Sequence, residues 1–194
     1  MNLKNHYYLM RHGQTIYQKE NRRINYKAEE NPFITLTDEG REMVKNSIKE
    51  LEDIKIDIIF SSPYQRTKET AEIASEFFGI KEINYDKRLV DINLGKFMGG
   101  PIEESKKFYS QEKNIFNKAP EDGESWNNVL KRVKNFLEEI EEKYKNKNIL
   151  IVSHGDPIWL MASYLRGYTE EKQFLSSRQD FQNFYPKLAQ IIKI

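Results

Sequence analysis

Short unbroken apolar runs alternate along this chain with longer stretches whose apolar positions recur every three or four residues. The first kind fits strands buried on both faces, the second helices with one buried stripe. Tyr7-Tyr8-Leu9-Met10, Asp57-Ile58-Ile59-Phe60 and Ile149-Leu150-Ile151-Val152 predict strands at about 6–10, 57–60 and 148–152. Glu82-Ile83-Asn84-Tyr85 predicts a shorter strand, and two more are expected near 181–185 and 189–194. Leu36-Thr37-Asp38-Glu39-Gly40 opens a helix continued by Val44, Ile48 and Leu51. Thr37 fits its N-cap, and the acidic pair suits the positive end of its dipole. A helix over about 64–78 is closed by Gly79, and another is expected after Pro157. Trp126, Val129, Leu130, Val133, Leu137, Ile140 and Tyr144 step by three or four and mark the clearest helix of all.

Strands alternating with helices predict an α/β fold, a three-layer α/β/α sandwich around a mostly parallel central sheet. A polar loop runs from the first strand to residue 35. Segment 86–123, with Gly95, Gly99, Gly100, Pro101, Pro120 and Gly123, is too long for a bare connector. It is expected to form a small cap or lid insertion with some helix near 102–117. At 194 residues the chain is expected to be a single domain over 1–194.

Composition narrows the function classes. The absence of cysteine excludes disulfides, thiolate metal sites and a cysteine nucleophile. Lys and Arg total 31 against 30 Asp and Glu, and a net charge of +1 gives no field for nucleic acid or an anionic membrane. No run approaches membrane-spanning length and Met1-Asn2-Leu3-Lys4-Asn5 is no signal peptide, so a cytoplasmic location is expected. Nothing in the sequence sets an oligomeric state.

Three strand ends carry the candidate chemistry. The first delivers Arg11-His12-Gly13, the second Ser61-Ser62-Pro63 with Arg66 one helical turn on, and the third Ser153-His154-Gly155. Parallel strands bring all three to one sheet edge, where α/β folds bind ligands. The planar fork of arginine suits phosphate oxygens, and helix-start amides after Gly13 and Gly155 add donors. A neutral imidazole in such a pocket can attack phosphorus and form a phosphohistidine. Departure of the alkoxide then needs an acid.

Arg11-His12-Gly13-Gln14-Thr15, Ser61-Ser62-Pro63-Tyr64-Gln65-Arg66-Thr67 and Val152-Ser153-His154-Gly155 resemble, in order, the signature segments of the histidine phosphatase superfamily, in its phosphoglycerate-mutase-like branch. Leu36-Thr37-Asp38-Glu39-Gly40, Leu94-Gly95 and Asp122-Gly123-Glu124-Ser125 look like its secondary landmarks. The resemblance implies His12 as the phosphorylated nucleophile, Arg11, Arg66 and His154 as the phosphate pocket, and no metal or organic cofactor. It places Asp91 where the family usually has a Glu proton donor, and Met98 where it has a second acidic residue. Asp has one methylene less, about 1.5 Å of reach. Gln14 stands where Glu is common, and Gln18 where an Asn often contacts phosphate.

Plainer readings stand beside these. A strand-end histidine is most often structural when alone, and His6 is assigned no role. Asp91 can equally be a loop-capping carboxylate, while Asp156 is a rival acid that reads first as a helix N-cap before Pro157. A metal site from His12, His154, Asp91 and Asp156 ranks below the phosphate pocket, because two arginines repel a cation. Arg22, Arg23, Lys27, Lys96, Lys106 and Lys107 can meet further negative charge on a substrate, or be solvated. The expected function is hydrolysis of a small-molecule phosphate monoester. A phosphoglycerate-type mutase and a non-catalytic phosphate-binding module are the alternatives.

Overall fold

The computed structural model describes residues 3–111 and 115–194. Its five strands are β1 (His6–Arg11), β2 (Ile58–Ser61), β3 (Ile83–Tyr85), β4 (Asn148–Ser153) and β5 (Ile191–Lys193). They form one sheet in the order β3-β2-β4-β1-β5, parallel except for β5, which runs antiparallel to β1.

Alternation along the strands sorts side chains onto the two faces. Tyr7, Leu9, Ile149 and Ile151 pack with α5 (Trp126–Lys143) and α6 (Gly155–Leu165). Met10, Ile59, Leu150 and Val152 pack with α2 (Asp38–Ile48) and α3 (Gln65–Phe78). The result is the expected α/β/α sandwich. Thr37 caps α2 by accepting from the Gly40 amide, and Gly79 closes α3 at φ 67°, a left-handed position suited to glycine. Ser125 caps α5 in a reciprocal box with Asn128.

Several expectations are corrected. The polar loop before residue 35 holds a short helix, α1 (Ile16–Lys19). Residues 181–185 are no strand, because Asp180 accepts amides from Gln182 and Asn183 and winds the chain into turns. The last strand is only three residues long, after Ala189 takes φ 58°. The cap helix α4 covers Ile102–Gln111, residues 115–117 form a turn, and 112–114 lie outside the described residues. Asp156 is not an N-cap: α6 begins a residue earlier, with His154 at the cap and Pro157 third in the helix. A further helix, α7 (Glu171–Ser177), follows.

The two least regular segments hold each other. The Asn25 amide donates to Gly100 O, Gly99 to Tyr26 O and Ile102 to Arg23 O, so 23–26 and 99–102 run together over the carboxyl edge of the sheet. Among the described residues no helix is long and apolar enough to cross a membrane.

Candidate active site

Register explains why the two histidines meet. Arg11 pairs with Ser153 across β1 and β4, so His12 and His154 each follow the last paired residue of adjacent parallel strands. Their rings lie 5.3 Å apart, edge to face, and both are buried. On the other side of β4, Ser61 pairs with Val152, and Arg66 from the first turn of α3 reaches the same point.

His12 Nδ1 stands 2.8 Å from Gly13 O. A carbonyl can only accept, so Nδ1 carries the proton and Nε2 keeps its lone pair. Burial, then the charges of Arg66 and Arg11, hold this imidazole well below the ordinary histidine range. It is therefore neutral at pH 7.

Arg66 is fully buried. Its Nη1 donates to Asn31 O at 2.7 Å and its Nη2 to His154 Nδ1 at 3.1 Å. Tyr26 and Tyr64 flank the guanidinium with ring centroids 4.5 and 5.2 Å away. Because a guanidinium cannot accept, His154 Nδ1 is the unprotonated nitrogen and Nε2–H donates to Ser62 Oγ at 2.9 Å. Burial and the same arginine hold His154 neutral as well. Three buried donors, Arg11 Nε, Arg66 Nε and Arg178 Nε, have no acceptor among the described residues. A buried unpaired donor costs about 1–3 kcal/mol, which an anion accepting from it would relieve.

Asp91 completes the cluster, with Oδ2 at 3.5 Å from Arg66 Nη2 and 3.7 Å from His154 Nδ1. Burial raises its carboxyl above the usual carboxylate range, against Arg66 and with the help of Asp156. Asp156 makes no ion pair with Arg66 or with either histidine among the described residues. It pairs with Arg178 at 3.3 Å, whose guanidinium is enclosed by Trp126, Trp159 and Tyr185.

A cavity of about 330 Å³ adjoins this cluster, and Arg11, Gln18, Asp91, Gly155, Asp156 and Tyr185 line it. Arg11 Nη1 donates to Pro186 O. Gly155 is the first residue of α6, and any Cβ there would come within 2.6 Å of the Tyr185 hydroxyl. Gln18 is at the wall but occupied: its Oε1 accepts from Thr15 and its Nε2 donates to Tyr26 Oη. Farther out, Ile24, Leu94, Met98 and Ile102 form an aliphatic part of the wall. Arg23 and Lys106 also face the cavity, and both pair with Glu103. Arg22 and Lys27 pair with Glu20 and Glu30. No group of three or more His, Asp or Glu side chains among the described residues is placed to hold a metal ion.

Sequence reasoning missed Tyr26, Asn31, Tyr185 and Arg178. Tyr64 lay in the Ser-Ser-Pro-Tyr-Gln-Arg stretch and gave a signal; the others sit in segments with no periodicity.

Known proteins resemble this chain in sequence and in fold. Residues 7–179 match the histidine phosphatase superfamily (branch 1). Phosphoserine phosphatase 1 of Hydrogenobacter thermophilus is 32% identical over 137 residues, 68% of this chain and 64% of that protein, so under two thirds of that relative is spanned. A 2,3-bisphosphoglycerate-dependent phosphoglycerate mutase of Thermoplasma acidophilum is 33% identical over 143 residues, 72% of this chain and 67% of its own. The crystal structure of a phosphoserine phosphatase mutant from Entamoeba histolytica, in complex with phosphoserine, superposes with a TM-score of 0.73 at 25% identity, covering 97% of this chain and 89% of that one.

Proposed function

The chain belongs to the histidine phosphatase superfamily (branch 1), and we propose that it hydrolyses a small phosphate monoester through a phosphohistidine at His12. The observation that carries this reading is the pairing of two neutral buried imidazoles with two arginines that keep unpaired buried donors. Fixed positive charge around a phosphoryl group and a free imidazole lone pair are what metal-free phosphoryl transfer requires.

The steps follow from the residues. Arg11, Arg66 and the Gly155 and Asp156 amides at the start of α6 bind the phosphoryl oxygens, and neutral His154 holds the Arg66 fork beside them through Nδ1. Gln18 lends its wall position. His12 Nε2 attacks phosphorus, and the bond to the leaving oxygen breaks with its electron pair. That oxygen takes the proton of Asp91, and the alcohol leaves. Water then attacks phosphorus, its proton returns to Asp91, the phosphorus–nitrogen bond breaks, and neutral His12 is restored with inorganic phosphate.

Phosphate entry also arms the acid. Asp91 now faces Arg66, and an anion taking that contact removes its main stabilising charge, so the carboxyl gains its proton when it is needed. Its contact with the cluster favours Asp91 over Asp156, which Arg178 holds. Phosphoserine and phosphoglycerate, in view of what the relatives are called, are the first substrates to try.

Hydrolysis of nitrophenyl phosphate in the presence of a chelator tests the reading. His12→Ala should lower kcat by at least about 1,000-fold. Equal activity in that variant, or activity only after metal is restored, would overturn it. The name of the Thermoplasma relative favours a second reading as a mutase. Isomerised phosphoglycerate without released phosphate would establish that reading instead.

A further inference from the structure

One ion pair, Arg132 with Glu124, grips the loop that carries the acid. Arg132 projects from α5, and its Nη1 donates to Arg88 O at 2.6 Å and its Nη2 to Asp91 O at 3.1 Å. The same guanidinium forks onto Glu124, with Nε to Oε1 at 2.9 Å and Nη2 to Oε2 at 3.1 Å. Glu124 Oε2 in turn accepts the Asn93 amide at 3.0 Å, and the Glu124 amide donates to Asn93 O at 2.8 Å. From the sheet side, Ser153 Oγ, next to His154, donates to Leu89 O at 2.7 Å.

We propose that Arg132 and Glu124 are positioning residues for the reaction, setting the backbone at 91 so that a carboxyl as short as that of Asp reaches the leaving oxygen. The inference rests on Asp91 being the acid of the hydrolysis proposed above. Each bond from the pair to the loop goes to a main-chain atom, at 88, 91 and 93, so the pair fixes where the Asp91 Cα stands. Neither residue lines the cavity. A carboxyl on two torsions reaches only as far as its Cα allows, so its placement is set by the main chain. A misplacement of about 1 Å in a reacting group costs on the order of 100-fold in rate. The planar fork matters because one guanidinium serves two carbonyls and a carboxylate together, which a lysine ammonium on a flexible stem does not reproduce.

The leaving group separates this role from a merely structural one, because a good leaving group needs little help from an acid. kcat/KM would be measured for Arg132→Lys and Glu124→Gln, beside Asp91→Asn, on nitrophenyl phosphate and on an alkyl phosphate. Arg132→Lys should lose roughly 10–100-fold on the alkyl ester and under about 3-fold on the aryl ester. Glu124→Gln should show the same selectivity with a smaller loss. In the Asp91→Asn background, Arg132→Lys should add nothing on the alkyl ester, since both act through one proton. Equal losses on the two esters, or losses that add in the double variant, would overturn the proposal. An Asp91→Asn variant indifferent to the leaving group would instead remove its premise, the acid assignment, while leaving His12-dependent hydrolysis standing.

Discussion

His12 and His154 are held neutral by burial and by the arginines beside them, and this has a cost that pH reveals. Their pKa values are lower in the folded protein than the unfolded value of about 6.5. The unfolded chain therefore binds more protons as the solution becomes acid. Both histidines contribute stability that is present above about pH 6.5 and lost as pH falls toward their folded values. Asp91 works in the opposite sense: its raised pKa favours folding in acid, and that contribution is lost as pH rises through its folded value. Two histidines against one carboxyl predict a melting temperature that falls between pH 7 and pH 5. Replacing either histidine with Asn should flatten that fall in a thermal-shift series. An unchanged slope would contradict buried neutral imidazoles. The tautomers also belong to this scale: a carbonyl under His12 Nδ1 and a guanidinium against His154 Nδ1 decide which nitrogen carries each proton. The sequence showed the residues but not these partners, because Asn31 and Tyr26 reach Arg66 from a loop whose path no periodicity records.

At the scale of elements, the turn after β1 is set by contact with α2. A Cβ on Gly13 would stand 2.5 Å from Gly40 O and 3.0 Å from Val44 Cγ2, and a Cβ on Gly40 would stand 2.2 Å from Gln14 O. The two oxygens are main-chain atoms that cannot swing aside. Gly13→Ala should therefore cost about 1–3 kcal/mol, as overpacking does. At roughly 2–4 °C per kcal/mol for a chain of this size, calorimetry should find a drop of several degrees. Activity should fall as well, since the preceding residue is His12. The elements that the sequence predicted well are those with a strong period or a defined cap, α2 behind Thr37 and α5 behind Ser125. Those it missed have local chemistry that outweighs composition. Phe181 to Tyr185 carries enough aromatic residues for a strand, yet Asp180 captures the amides that a strand would need. The turn it makes instead leaves Tyr185 against Gly155 and the cavity.

For the whole molecule, parallel register does most of the assembly. Once β1, β2 and β4 lie side by side in step, Arg11, His12, the start of α3 and His154 share one edge. That much was legible from three apolar runs and the polar residues that stop them. The wall over that edge was not, because 23–26 and 99–102 join through irregular main-chain bonds between two segments that look like loops. The leaving group would lie against that wall, which is why the phosphate pocket is readable from sequence and the substrate is not. Passage of the phosphoryl group through His12 is read by a single-turnover quench with an aryl phosphate radiolabelled at phosphorus. Label should appear on the protein, be released by acid and retained in alkali, and be absent from His12→Ala. Label that survives acid, label on the His12→Ala protein, or turnover with no labelled protein at any quench time would contradict it.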